Sequence, residues 1–178
     1  MTTATPVIRP FEPADLDALH RINEASVPNV GSVTLDRLRA LVATSLTTLV
    51  ALGPEGPAGL LVCLDESADY DSPNFVWLKQ RYPRFFYVDR IALDPAARGR
   101  ALGQALYETL IARLADTPSH RDLPLACEVN TEPANPGSLR FHARLGFREI
   151  GTQTFDDGKA VVYLARAVGA DSNKGTAP

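Results

Sequence analysis

The feature that most constrains the fold is an apolar segment followed directly by a turn rich in arginine and glycine. Residues 88–93 form the apolar segment, Arg98, Gly99 and Arg100 lie in the turn, and a helical pattern follows. The first N–H groups of a helix lack intrahelical partners and lie at the positive end of its dipole. The sequence therefore predicts a strand, an anion-binding turn and a helix, with a phosphate-bearing ligand at the helix N-terminus.

Two common phosphate-binding motifs are absent from the sequence. Neither Gly-x-x-x-x-Gly-Lys-Ser/Thr nor Gly-x-Gly-x-x-Gly occurs in the 178 residues, which excludes a P-loop and a dinucleotide fingerprint. The turn by itself is also compatible with an ordinary strand–turn–helix junction that carries two solvated arginines.

Residues 98–103, Arg-Gly-Arg-Ala-Leu-Gly, resemble the acyl-CoA pyrophosphate loop of the GNAT acetyltransferases, Arg/Gln-x-x-Gly-x-Gly/Ala. The chain departs from this pattern at Ala101, where the family usually has glycine. We expect Ala101 in the first helical turn, where alanine is favourable and still donates an N–H.

A second segment, residues 135–147, resembles the later family motif Asn-x-x-Ala/Ser-x-x-Phe-Tyr-x-x-x-Gly-Phe. It matches at Asn135, Ser138, Phe141, Gly146 and Phe147 with the spacing intact. Two motifs in the family's order are more specific than one, and the resemblance covers about residues 6–167.

The apolar periodicity predicts alternating strands and helices. We predict strands at 7–9, 47–52, 58–64, 84–93, 123–129, 147–155 and 159–167, and helices at 13–22, 99–115 and 135–145. Another helix begins after the N-cap Thr34, and a short one at Ser72 and Pro73. The predicted domains are a flexible N-terminus at 1–5, an acetyltransferase domain at 6–167, and a disordered tail at 168–178.

This order suits an α/β fold with a mixed sheet and helices on both faces. The resemblance implies that the strands at 84–93 and 123–129 splay apart, with the pantetheine arm of acetyl-CoA in the gap. It implies a set of cofactor-binding residues: Ile91, Ala92, Leu93, Arg98, Gly99, Arg100, Ala101, Leu102, Gly103, Asn135, Ser138 and Phe141.

The implied reaction is acetyl transfer from acetyl-CoA to an amine, most simply a small one, without a metal. Such a reaction uses a general base for the amine, an acid for the leaving thiolate and an N–H for the developing oxyanion. We expect a backbone N–H within 91–93 to fill the last role. The alternatives are a non-catalytic acyl-CoA-binding or sensor protein, and a phosphate-binding module unrelated to CoA.

Three side chains are candidates for the acid and base roles. His142 occupies the position of a family tyrosine that protonates the thiolate, and an imidazolium can replace it; it could also be a packing residue. Glu128 lies in an apolar strand, where burial would raise its pKa to suit a base, or where it could form an ion pair with Arg90 or Arg148. Asp89 is a similar candidate that could pair with Arg90.

The acceptor cleft in this fold is lined by the link between the first two helices and by loops near the splay. This predicts Asn23, Asn29, Tyr70 and Asn74 as substrate-binding residues. For the aromatic residues Trp77, Phe75 and Tyr82 we favour packing on the core.

Composition narrows the function classes. The net charge is −3 and the basic residues are scattered, which argues against a nucleic-acid surface. The sequence contains no run of about 18 apolar residues, so it predicts no membrane span. Residues 1–5 lack the features of a signal peptide. Cys63 and Cys127 are expected to be buried, reduced thiols of a cytoplasmic protein. An exposed strand of the last hairpin could support a homodimer.

Overall fold

The computed structural model describes residues 6–170 as one seven-stranded sheet with helices on both faces. The strands are β1 (Val7–Pro10), β2 (Thr47–Gly53), β3 (Gly56–Asp65), β4 (Phe86–Leu93), β5 (Pro124–Glu132), β6 (Arg148–Thr154) and β7 (Ala160–Ala167). The helices are α1 (Leu16–Glu24), α2 (Leu35–Thr44), α3 (Pro73–Lys79), α4 (Leu102–Ala115) and α5 (Pro136–Arg144). Short 3₁₀ turns lie at Pro13–Asp15, Pro95–Ala97 and Pro118–His120.

The helix starts follow local rules. The Thr34 hydroxyl accepts a hydrogen bond from the Arg37 N–H at 3.1 Å, so it caps α2 as predicted. Asn135 caps α5 in the same way, because its side chain accepts from the Ser138 N–H at 3.2 Å, with Pro136 at the first helical position.

The sheet separates two apolar clusters. On one face, α4 packs against the sheet through Leu102, Leu106 and Leu110; on the other, α1, α2 and α3 pack through residues that include Leu19 and Leu38. Side chains alternate between the two faces along β4, so this strand contributes to both clusters. Phe86 and Val88 belong to the first cluster and Tyr87 to the second. The predicted mixed sheet with two helical faces is confirmed.

The middle of the sheet splits where the sequence predicted. The order is β1-β2-β3-β4-β5-β7-β6, and the parallel pair β4–β5 matches only at Phe86 with Leu125 and at Tyr87 with Ala126. Beyond these positions the two strands diverge. On its other edge, β4 has an irregularity against β3, where Val62 pairs with Arg90 but Cys63 pairs with Val88, which leaves Asp89 as the extra residue of a β-bulge.

The chain continues in contact with the core beyond 167, where a disordered tail was predicted to begin. Val168 is fully buried and donates its N–H to the Leu123 carbonyl at 3.0 Å, and the Gly169 N–H bonds to the Arg121 carbonyl at 2.8 Å. These bonds and the apolar Val168 side chain hold residues 168–169 on the core. The predicted flexibility of 1–5 and disorder of 171–178 lie outside the described residues.

Candidate functional site

The turn before α4 has a backbone that the sequence did not predict. The helix begins at Leu102 rather than Gly99, and Gly99 has φ of +80°. Ala101 is not in the first helical turn: it is the N-cap residue, in the left-handed region with φ 58° and ψ 14°. Alanine is strained there because its Cβ crowds the following carbonyl oxygen, and the glycine usual in the family would not be.

The start of α4 is available for an anion. The cap bond there runs from the Ala105 N–H to the Ala101 carbonyl, and the Ala101 side chain offers no cap. The N–H groups of residues 102–104, which precede this bond, therefore lack intrahelical partners. Arg98 and Arg100 are exposed at the same turn, so this turn carries two cations beside the positive end of the helix dipole.

The reason for glycine at 103 is close packing. A Cβ at Gly103 would lie 3.3 Å from Cζ of Phe141 and 3.6 Å from Cδ1 of Leu93. The missing side chain therefore lets α5, α4 and β4 meet beside the turn. This brings the predicted cofactor residues from the three elements together.

The geometry of this region fits an acyl-CoA. From Val88 onward, the edge of β4 that faces β5 has no strand partner within residues 6–170, so its peptide groups can bond an extended arm as a neighbouring strand would. Ile91 and Leu93 are partly buried on this segment. The turn at the start of α4 follows this strand in the chain. Arg98, Arg100 and the α4 N–H groups would hold the phosphates, and the β4 edge would hold the arm.

Glu128 lies on the α1–α3 face of the sheet, two residues past the last β4–β5 pair. Its Oε2 accepts a hydrogen bond from the Tyr87 hydroxyl at 2.8 Å. Burial, and next the negative charge of Asp89, raise the pKa of Glu128 to about 8, while the Tyr87 hydrogen bond and Arg90 act in the opposite direction. No ion pair of Glu128 with Arg90 or Arg148 occurs among the described residues. Glu128 is thus a carboxyl group with a pKa suited to proton transfer.

Asp89, the bulged residue of β4, forms the centre of a polar cluster. Its Oδ2 accepts from Arg90 Nε at 2.8 Å and its Oδ1 from the Tyr70 hydroxyl at 2.7 Å. Burial and the Asp89 charge raise the pKa of Tyr70, so the hydroxyl keeps its proton. Arg90 also donates to the Asn23 side chain at 2.9 Å. Asp89 is therefore held in an ion pair, and its side chain is only 5% exposed.

The link between α1 and α2 crosses the split of the sheet. On the β4 side, the Gly31 carbonyl accepts from Arg90 Nη1 at 3.4 Å; on the β5 side, the Pro28 carbonyl accepts from Asn130 at 3.1 Å. The Glu24 carboxylate holds the link in place, because it accepts hydrogen bonds from Ser32, the Val33 N–H and Asn23. These hydrogen bonds lower the pKa of Glu24 to about 2. Asn29 is exposed on the link.

Helix α3 packs against β7, the strand that pairs with β5. The Trp77 ring stacks on Tyr163 of β7 with centroids 3.9 Å apart, and Arg81 lies 3.6 Å from the Trp77 ring. The Tyr163 hydroxyl bonds with the side-chain oxygens of Asn74 at 2.9 Å and Gln153 at 2.7 Å. Trp77 thus packs as expected.

His142 lies on the other face, inside the α4–α5 interface. It is 2% exposed; Nδ1 lies 2.8 Å from the Ser138 carbonyl and Nε2 lies 2.9 Å from the Tyr107 hydroxyl. A carbonyl only accepts, so Nδ1 carries the proton and Tyr107 donates to Nε2. Burial lowers the pKa of His142. A neutral, internally paired imidazole is not the imidazolium donor that the sequence predicted.

The structure thus brings most predicted residues together. Asn23, Tyr70 and Asp89 share one network, Glu128 lies beside it, and Asn74 is linked to Tyr163, which pairs with Glu128 in the β5–β7 register. Sequence reasoning considered Arg90 as an ion-pair partner, and the structure pairs it with Asp89; it missed the partners Tyr87 and Tyr163. Strand alternation could have found Tyr87, two residues before Asp89, whereas Tyr163 required the register of β5 with β7.

Residues 6–170 lack two kinds of feature and contain one groove apart from the site. No helix there is long and apolar enough to cross a membrane. No group of three or more His, Cys, Asp or Glu side chains there could hold a metal ion. A groove of about 430 Å³, lined by residues including Phe11, Leu16 and Val42, shares no residue with the Asp89 and Glu128 clusters.

Comparisons with known proteins agree with this architecture. The model of the Acetyltransferase (GNAT) family matches residues 62–147. Mycothiol acetyltransferase of Mycobacterium sp. (strain JLS) is 33% identical over 91 residues, which are 51% of this chain and 30% of that protein. The match therefore spans less than a third of that relative's length.

Two solved structures share the fold over nearly their whole length. The ribosomal-protein-S18-alanine N-acetyltransferase from Escherichia coli has a TM-score of 0.68 at 18% identity, covering 96% of this chain and 98% of that one. Arabidopsis thaliana NAA60 in complex with acetyl-CoA has a TM-score of 0.69 at 15% identity, covering 93% and 100%.

A mixed sheet split between two parallel strands, with an anion-binding turn at the start of the next helix, defines the class of proteins with the GNAT fold. The family match covers both β4 and the α4 turn. Residues 62–147 match the GNAT acetyltransferase family, and the chain has the GNAT fold.

Proposed function

We propose that this protein is an acetyl-CoA-dependent N-acetyltransferase that acts on a small amine by direct transfer. The observation that carries the proposal is the position of Glu128, two residues past the last β4–β5 pair. A carboxyl group with a pKa of about 8 lies there beside the edge of β4 that is open to an acyl-CoA.

Acetyl-CoA, when bound, supplies an activated thioester to the site. On the protein side, Glu128 accepts the proton that the amine must lose before or during attack. Tyr87 holds Oε2 of the carboxylate. A backbone N–H within residues 91–93 stabilises the developing oxyanion. With a base whose pKa is about 8, kcat/KM should rise with pH until Glu128 is ionised.

The size of the acceptor follows from what covers the site. The α1–α2 link crosses from Arg90 of β4 to Asn130 of β5, and α3 places Asn74 and Trp77 on Tyr163. These contacts occupy the face of β7 next to Glu128, so this part of the sheet is closed to an extended peptide. Asn29, Tyr70 and Asn74 surround the remaining space in this proposal, and their amide and hydroxyl groups suit a small polar amine. Asn23, predicted from the sequence to bind substrate, is fully buried and holds Arg90 instead.

The location and the partners of the protein are also part of the proposal. We place it in the cytoplasm, with a small-molecule acceptor as its main partner. Strand β6 is an edge of the sheet, and a homodimer would use such an edge.

A turnover assay tests the proposal. Release of CoA from acetyl-CoA is measured with a panel of small amines and with short peptides that have free N-termini, for the wild type and for Glu128→Gln. We expect turnover with at least one small amine, little with peptides, and a strong loss in Glu128→Gln. Binding of acetyl-CoA without turnover on any amine would favour the non-catalytic acyl-CoA-binding alternative.

A further inference from the structure

Tyr87 lies in the last matched pair of β4 and β5, before the two strands diverge. It is fully buried on β4 and pairs with Ala126 of β5, one of the two matched positions of these strands. The side chain opposite is only a methyl group, so the Tyr87 ring can pass over it toward the next residue on the same face of β5. That residue is Glu128, and the hydroxyl reaches its Oε2 at 2.8 Å.

The Tyr87 ring has little freedom to move. Phe75 of α3 lies against it with ring centroids 5.8 Å apart, and burial raises the pKa of the Tyr87 phenol well above its ordinary value. The hydroxyl therefore keeps its proton and acts as a donor. It fixes one carboxylate oxygen and leaves Oε1 without a side-chain hydrogen bond within residues 6–170.

Several charged or titratable groups surround Glu128. Asp89 raises its pKa, whereas Arg90 lowers it, and the Tyr87 hydrogen bond also lowers it. The other groups that sense its charge lie on β7, α4 and β5 itself: Tyr163, Tyr107 and Cys127. Of all these groups, Tyr87 makes the side-chain hydrogen bond to the carboxylate.

We propose that Tyr87 is a positioning residue, whose hydroxyl aims the Glu128 carboxylate and stabilises its ionised form for proton transfer. This inference rests on the proposed function, since it gives Glu128 the role of base. Tyr87 acts through Glu128 and does not itself need to touch the acceptor.

The direct test is a ¹³C NMR titration of the Glu128 carboxyl carbon, which requires neither acetyl-CoA nor an acceptor. Glu128→Gln identifies the resonance. In Tyr87→Phe, loss of a hydrogen bond to a charged group should move the titration midpoint to higher pH by about one pH unit. Tyr82→Phe is the matched control, because the Tyr82 hydroxyl makes no hydrogen bond within residues 6–170. An unchanged midpoint in Tyr87→Phe would overturn the proposal.

The pH profile of kcat/KM, measured with an amine that supports turnover, separates positioning from structure. A positioning role predicts that Tyr87→Phe shifts the acidic limb to higher pH, with much of the activity recovered in alkali. A merely structural role predicts an equal loss at every pH, which would contradict the proposal. Absence of wild-type turnover would overturn the proposed function instead, because the NMR titration tests the contact independently.

A second perturbation covers the case in which Tyr87→Phe does not fold. Biosynthetic replacement of tyrosine by 3-fluorotyrosine keeps the ring and makes the phenol a stronger hydrogen-bond donor. The Glu128 midpoint should then move to lower pH, opposite to the effect of Tyr87→Phe. A midpoint that does not move in this labelled protein would contradict the proposal.

Discussion

Replacing Glu128 by Gln should change how the stability of the fold depends on pH. The pKa of this carboxyl is about 8 in the folded protein, against an ordinary value of 4.5. The folded state therefore holds a proton that the unfolded chain has already released between these two pH values. The free energy of unfolding contributed by Glu128 is thus lost as pH rises from about 4.5 to about 8. Glutamine remains neutral throughout and lacks this loss.

The magnitude follows from the two pKa values. A difference of about 3.5 pH units corresponds to about 5 kcal/mol if the carboxyl is wholly shielded from water. Glu128 is only partly buried by its accessible surface, so we expect about 1–3 kcal/mol after solvent screening. Glu128→Gln should have nearly wild-type stability at about pH 4 and exceed it by this amount at about pH 9.

Urea unfolding at several pH values measures this difference directly, because ΔG depends linearly on denaturant concentration. Glu132→Gln is the matched control, since it makes the same substitution at an exposed position at the end of the same strand. A difference between Glu128→Gln and wild type that stays constant from acid to alkali would refute the reasoning.

Three further predictions test other parts of the site. Ala101→Gly should relieve the left-handed backbone and raise the free energy of unfolding by up to about 1 kcal/mol in urea melts; destabilisation would contradict the assigned conformation. Gly151→Ala places a Cβ 2.6 Å from Trp77, so it should cost about 1–3 kcal/mol and shift the fluorescence of this single tryptophan, whereas an unchanged spectrum would argue against the stack. His142→Phe should cost about 1–3 kcal/mol because Tyr107 loses its buried partner, and it should keep most of its turnover; a strong loss of turnover in the folded variant would contradict the neutral, internally paired state of His142.

Much of the fold was predictable because its signals are local. The apolar spacing of α1, the caps Thr34 and Asn135 and the turn at residues 53–56 act within a few residues. The split between β4 and β5 was predicted from family resemblance, and the β4–β5 register confirms it.

The conformation at Ala101 could not be predicted from residue type, since alanine favours a helix and the turn imposes the left-handed backbone. The state of His142 depends on Tyr107, 35 residues earlier in the chain, and the setting of Glu128 on Tyr87, 41 residues earlier. Such contacts arise from strand register and helix packing, which sequence periodicity alone does not specify.

Binding of an acyl-CoA at the split sheet is the property on which the proposed function most depends. Calorimetric titration with acetyl-CoA, with ADP and pantetheine as separate controls, tests it most directly. We predict micromolar binding of acetyl-CoA, far tighter than that of either fragment, and weaker binding in Arg98→Ala by about 1–3 kcal/mol from lost charge-assisted hydrogen bonds. No binding by a protein shown to be folded, or equal binding of ADP alone, would contradict the account.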